Sequence, residues 1–110
     1  MAEIRDGDLA RELEGLRRAY RDKLIEMLAR LGSLVREARK MRDGDEFQAA
    51  RDLAHRLKGT SGSYGFDECS AQLSKIEDRL ERLADAVPAN AAAIWMEIEQ
   101  ALSRARSGCS

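Results

Sequence analysis

The sequence predicts an all-α fold, an antiparallel four-helix bundle with room for an additional short N-terminal helix. Three observations predict it. Apolar residues recur at spacings of three and four along most of the chain, the period of an amphipathic helix. The residue mix, 44% hydrophobic and 35% charged with one proline in 110 residues, is rich in helix formers and poor in strand formers. Short glycine- or proline-bearing segments separate the periodic stretches, as turns do in a bundle. A chain of this length fits one compact domain, residues 1–110, and leaves no material for a second core.

From Asp8 to Arg42, helical spacing links Leu9, Leu13, Leu16, Tyr20, Leu24, Met27, Leu31, Leu34, Ala38 and Met41. Ile25, Leu28 and Val35 widen the apolar face in the later half, as a helix packed among several others requires. An unbroken helix here would run about 50 Å, longer than such a domain needs. A break near Gly15 is therefore expected, giving helices at 8–16 and 18–42. In "RDGDEF", Gly44 is expected to end a helix in the left-handed conformation. Asp45 is expected to cap the next helix, with Gln48 completing a capping box.

That next helix, 45–64, carries a core stripe of Phe47, Ala50, Ala54, Leu57, Ser61 and Tyr64. "YGFDEC" follows, with Gly65 as helix stop, Asp67 as N-cap and Phe66 folding back on the first turn. The third helix, 67–86, buries Cys69, Leu73, Ile76, Leu80 and Leu83. Cys69 is read as a core thiol, since no basic residue flanks it to lower its pKa. Pro88 cannot continue that helix. A last one, 89–106, turns Ile94, Ile98, Leu102 and Ala105 inward, with Trp95 at its edge and a frayed polar tail behind.

Nineteen basic and twenty acidic side chains leave a net charge of -1, which gives no global attraction to nucleic acid or to anionic membrane. No run approaches the ~20 apolar residues that span a bilayer, and "MAEIRDGD" lacks the apolar stretch of a secretory signal, so a cytoplasmic protein is expected. Met1 at the start and the polar tail suggest a separate small protein. Cys69 and Cys109 have no C-x-x-C spacing and only one histidine to join them, too few for a tetrahedral metal site. Both are read as free thiols in a reducing compartment, and no metal or cofactor is expected.

The informative stretch is "AHRLKGTSGSYG", Ala54 to Gly65, which holds the only histidine and three glycines. At about 100° per residue, Lys58, Gly59 and Gly62 lie within roughly 60° of His55 around the helix axis. This face is turned by about 100° from the Ala54 and Leu57 stripe, so the imidazole should project to solvent. Each glycine inside a helix costs about 0.5 to 1 kcal/mol relative to Ala. Close helix packing would explain such glycines, but on this geometry both fall on the histidine face. The reading favoured is that they clear space for a partner at His55. A free imidazole titrates near ~6.5, so near neutral pH it offers a nucleophilic nitrogen that can accept a phosphoryl group. Lys58, one turn away, can reach the phosphoryl oxygens. Thr60 and Ser61 could hydrogen-bond nearby, or serve only as small helix-compatible residues.

"AHRLKGTSGSYGF", followed by a periodic helix with "KIEDRLE", resembles the signature of histidine-containing phosphotransfer domains of bacterial phosphorelays. The resemblance covers about Asp45 to Glu81 in motif and the rest by helical layout. It implies a four-helix bundle with the phosphorylatable histidine exposed midway along one helix. His55 matches that position, Lys58 the basic neighbour and Gly59 the small residue that admits a receiver domain. Gly62, Arg56 and Thr60 complete the expected docking surface. The resemblance implies no kinase activity: the protein would take a phosphoryl group from a receiver's aspartyl-phosphate and pass it to another receiver, the receiver supplying magnesium and the remaining catalytic groups. Response-regulator receivers, a hybrid sensor histidine kinase, or both are the expected partners. The N-terminal forty residues are longer and more heptad-like than is usual in the family. A monomer is expected, with a dimer through the N-terminal helix as the alternative.

Two other readings compete. One is a helical bundle or coiled-coil adaptor in which His55 is incidental, supported by the N-terminal heptads. The other is the phosphotransfer module of a larger histidine kinase. An ordinary enzyme is disfavoured, since the Glu and Asp residues, Glu77 and Glu81 among them, follow solvated helix-surface spacing and no glycine loop follows a strand.

Overall fold

The computed structural model describes residues 6–41, 44–85 and 88–109. Four helices follow in order: α1 (Asp6–Lys40), α2 (Asp45–Ser63), α3 (Asp67–Asp85) and α4 (Pro88–Cys109). Turns of a few residues make each helix run back along the one before it. α1 packs on α2 and α4, and α3 packs on the same two, so the helices form an up-down-up-down ring. Leu24, Leu28, Leu31, Val35 and Ala38 of α1 meet Leu53, Ala54 and Leu57 of α2 in the core. Leu73, Ile76 and Leu80 of α3 and Ile98 and Ala105 of α4 complete it. Each large aliphatic side chain buried there contributes about 1.5 to 3 kcal/mol.

The expected break near Gly15 does not occur: α1 is one helix of 35 residues. A single helical glycine costs about 1 kcal/mol, too little to interrupt a ladder that is hydrogen-bonded on both sides. The extra length is taken up by overhang. At 1.5 Å per residue α1 is about 52 Å long and the 19-residue α2 about 28 Å. The C-terminal end of α2 meets α1 at Arg17 and Tyr20, so the first turns of α1 stand beyond the bundle. Leu9, Leu13 and Leu16 are consequently exposed, as are Ile25 and Met41, and the α1 stripe turns inward from Tyr20 onward.

The turns differ in chemistry from the sequence expectation at two places. Gly44 is not left-handed: it is the N-cap of α2 with φ -87 and makes no side-chain cap. Asp45 is already helical, so the expected capping box is absent, and Gln48 donates to Asp52 instead at 2.9 Å. Likewise Asp67 is the first residue of α3 and not its cap; the carbonyl of Phe66 accepts from the Ser70 N–H at 2.9 Å. Both aspartates still place negative charge at a helix N-terminus, where the dipole favours it.

The end of α2 follows expectation. Gly65 adopts φ +82, Phe66 N–H bonds back to the Ser61 carbonyl at 2.9 Å and Gly65 N–H to the Gly62 carbonyl at 3.1 Å. These are the two bonds of a Schellman closure, which needs a left-handed residue where only glycine is unstrained. Because the helix stops at Ser63, Tyr64 leaves the core stripe. It is exposed, and its ring stacks on Tyr20 at 4.2 Å between centroids. In α4, Trp95 is buried and not at the edge, and the helix continues through Cys109, which is also buried. No frayed tail exists up to that residue, because Gly108 packs on Glu68: a Cβ there would lie 3.5 Å from Glu68 Cγ. Arg42, Ala86 and Ser110, which the expected helix ends and tail include, lie outside the described residues.

Candidate functional site

α2 and α3 lie side by side, and two features bring them close near the C-terminal end of α2. Ser70 Oγ donates to the Lys58 carbonyl at 2.9 Å across the pair, and the buried Ser61 Oγ donates to the same carbonyl at 3.2 Å. Gly62 belongs to this contact. A Cβ at Gly62 would lie 3.3 Å from Ser70 Oγ, so its missing side chain is accounted for by helix packing, against the expectation that it clears the histidine face. Gly59 is different: a Cβ there would meet nothing within 4 Å, so that position faces open space beside His55.

The His55 side chain is 69% exposed, as the angular offset from the core stripe requires. One flank of the ring is held. His55 Nδ1 lies 2.5 Å from Glu77 Oε2, and Lys58 Nζ donates to Glu77 Oε1 at 2.7 Å. An ionised carboxylate only accepts hydrogen bonds, so in the neutral ring the bond to Glu77 places the proton on Nδ1 and the lone pair on Nε2. Glu77 is 15% exposed and Lys58 33%, so the ion pair between them is partly shielded from water and worth more than a surface pair. Burial pushes the Glu77 carboxyl up, but the hydrogen bonds from Lys58 and His55 and their charges outweigh it and hold the group below its ordinary value.

Glu77 is the residue that sequence reasoning missed, placed there among solvated surface carboxylates. Nothing in its local spacing sets it apart from Glu81 or Asp78. The signal that could have found it is register: α3 runs back along α2, and a carboxylate beside Ile76 reaches the flank where His55 and Lys58 emerge.

The remaining expected site residues lie on the other flank of α2, toward α1. Thr60 Oγ1 lies 3.1 Å from the Arg56 carbonyl and 2.6 Å from the Tyr20 hydroxyl, hydrogen-bonded to both. Thr60 thus ties α1 to α2. Burial raises the Tyr20 pKa above its ordinary value, against the opposing bond to Thr60. Arg17 closes the same end, donating to the Tyr64 carbonyl at 3.2 Å with its guanidinium 4.6 Å above the Phe66 ring. Arg56 is exposed and, with Thr60, Tyr20, Leu53 and Leu57, lines a cavity of about 540 Å³ between α1 and α2. The structure therefore brings together His55, Lys58, Gly59 and Glu77, and sets Arg56 and Thr60 apart from them.

Cys69 and Cys109 are both buried free thiols. Burial and the neighbouring Cys109 push the Cys69 thiol up to about 12, so it is no nucleophile. Among the described residues no cluster of three or more His, Cys, Asp or Glu side chains could hold a metal ion, and no helix is long and apolar enough to cross a membrane.

An exposed imidazole with Nδ1 engaged presents Nε2 as the ring nitrogen open to a partner. Comparison with known proteins bears on which chemistry uses it. No curated protein matches the chain, and neither does any solved structure. Residues 8–108 match the family model described as the Hpt domain, nearly the whole chain, and the protein therefore belongs to the Hpt domain family, the histidine phosphocarriers of phosphorelays.

Proposed function

We propose that His55 is the phosphoryl carrier and that Nε2 is the atom that carries the group. The observation behind this is the single short bond from Nδ1 to Glu77, which engages that nitrogen and leaves Nε2 as the unengaged one on an exposed ring. The donor is the aspartyl-phosphate of a receiver domain. The Nε2 lone pair attacks phosphorus, the N–P bond forms, the P–O bond to the receiver's carboxylate breaks, and that carboxylate leaves with the electron pair. The Nδ1 proton stays in place, so the ring becomes cationic as the N–P bond forms. Glu77, already ionised, stabilises that positive charge. Return to a second receiver is the same step reversed.

Lys58 has three N–H donors, and Glu77 occupies one. The other two are available to the phosphoryl oxygens, so the same ammonium orients Glu77 and offsets the incoming charge. Gly59 leaves the approach to the ring open for the receiver's backbone. In this reading Thr60 and Gly62 support the helix that carries the site, and Arg56 lies at the margin of the docking surface.

The test is phosphorylation by cognate receivers loaded with phosphate, with the label mapped by mass spectrometry. Label on His55, lost in acid and stable in base, and absent from His55→Gln with the bundle still folded, is the expected result. Label retained elsewhere in the His55→Gln protein overturns the assignment.

A further inference from the structure

The N-terminal overhang of α1 exposes an apolar stripe that nothing among the described residues covers. Every described side chain from Leu9 to Ala19 is exposed, and the end of α2 comes alongside α1 only at about Leu16 to Tyr20. Yet that segment carries Leu9, Leu13 and Leu16 at 46%, 57% and 58% exposure, spaced by four and three, with Tyr20 four residues on. That is the two-in-seven seam by which one helix packs on another. The seam does not end at the bundle: Leu16 and Tyr20 continue into the cavity between α1 and α2, whose lining adds Met27, Leu53 and Leu57. Gly15 sits inside this stretch with nothing within 4 Å of a Cβ position, so no contact within the chain offsets its poor helix propensity.

Charge says what covers the seam. From Gly7 to Leu16 the helix carries Asp8, Glu12 and Glu14 against Arg11; from Arg17 to Lys23 it carries Arg17, Arg18, Arg21 and Lys23 against Asp22. A parallel pairing of two copies lays acid on acid and base on base, and it forces two bundles into the same space beside the overhangs. An antiparallel pairing lays the acidic half of each copy on the basic half of the other and sends the bundles to opposite ends. Centred between Glu14 and Gly15, it sets Leu13 of one copy against Leu16 of the other, and Leu9 against Tyr20.

We propose that the protein self-associates as an antiparallel dimer through the overhanging first turns of α1, with the mate's N-terminal turns reaching the mouth of the α1–α2 cavity. This inference is independent of the phosphocarrier reading. His55 lies on the α3 side of α2, bonded to Glu77, so the dimer leaves the ring open.

Sedimentation equilibrium of the full chain under reducing conditions tests it, over roughly 1 to 500 µM because three leucines and a cavity mouth make an interface at the small end of the specific range. A concentration-dependent dimer is expected. Leu13→Glu should weaken association by at least about tenfold while leaving helix content intact, since the side chain is exposed and lies outside the buried core. Leu13→Glu combined with Leu16→Lys in one chain should restore the dimer, because the antiparallel register sets the introduced carboxylate of each copy against the introduced ammonium of its mate, whereas a parallel one sets like against like. A wild-type chain that stays monomeric throughout the range overturns the proposal, and so does one whose seam is protected only when a receiver domain is added. A dimer untouched by Leu13→Glu, or a double variant that stays monomeric, overturns it equally.

Discussion

Replacing Glu77 with Gln exchanges one acceptor oxygen for an NH₂ donor and removes the negative charge at nearly constant size, and its consequence for the ring can be worked out from the geometry. The carboxylate offers one oxygen to each partner, Oε2 to His55 Nδ1 and Oε1 to Lys58 Nζ. An amide has a single acceptor oxygen and an NH₂ that only donates. The ammonium, a full charge with three donors, takes the oxygen. The NH₂ then faces Nδ1, which can accept only if its proton has moved to Nε2, the atom that must attack. Restoring the productive tautomer means forfeiting a bond to a charged partner, worth about 1.5 to 3 kcal/mol, and at 1.36 kcal/mol per decade the transfer rate should fall about 10- to 100-fold. Rapid-quench kinetics with a phosphorylated receiver measures the rate. Nitrogen chemical shifts of the labelled imidazole report the tautomer, which a purely structural role for Glu77 would not move. The expected pair of results is a slowed transfer together with a proton relocated from Nδ1 to Nε2 in a protein that still melts cooperatively. Transfer within twofold of wild type, with the fold intact, would refute the argument.

The same carboxylate makes stability depend on acid. A group held below its ordinary value in the folded state contributes stability that is present above that value and is lost as the pH drops through the folded one; for Glu77 the loss should begin as the pH falls below 4.5, and urea titrations should show a flatter acid limb in Glu77→Gln. The two glycines should separate cleanly. Gly59→Leu enters open space and should keep or slightly raise the melting temperature while weakening receiver binding, whereas Gly62→Leu must displace Ser70 and should destabilise by about 1 to 3 kcal/mol; equal melting temperatures for the two would contradict this assignment. Cys69, with its thiol pushed up to about 12, should resist iodoacetamide at pH 8 in the native protein, where roughly one thiol in 10⁴ is ionised, and react readily in denaturant.

Much of the bundle was legible from spacing alone. The stripes through Ala50, Ala54, Leu57 and Ser61 and through Cys69, Leu73, Ile76, Leu80 and Leu83 are buried as their periodicity requires, because a helix projects residues three and four apart onto one face whatever surrounds it. For the same reason the exposure of His55, about 100° from that face, needed no coordinates. Gly65 was equally readable, since the left-handed closure after α2 admits little else. Periodicity says which residues share a face and is silent on whether anything packs there. Leu9, Leu13 and Leu16 show the same pattern as Leu24 and Leu31 and yet stand outside the bundle, because α2 ends where α1 has reached Arg17. Tyr64 left the core because α2 ends at Ser63, and Trp95, expected at the edge of its face, is buried.

The order of residues along the chain settles what is local: helix, face, stop, and an imidazole in water with a lysine one turn on. Which groups from different helices meet was left to the packing of the bundle. Glu77 lies 22 residues from His55 and looks like any other surface carboxylate in its own helix; it became the group that sets the ring's tautomer only when α3 folded back along α2 in one register. A hydrogen bond is felt over about 3 Å and is indifferent to separation along the chain, so no pattern within a single helix could have announced it.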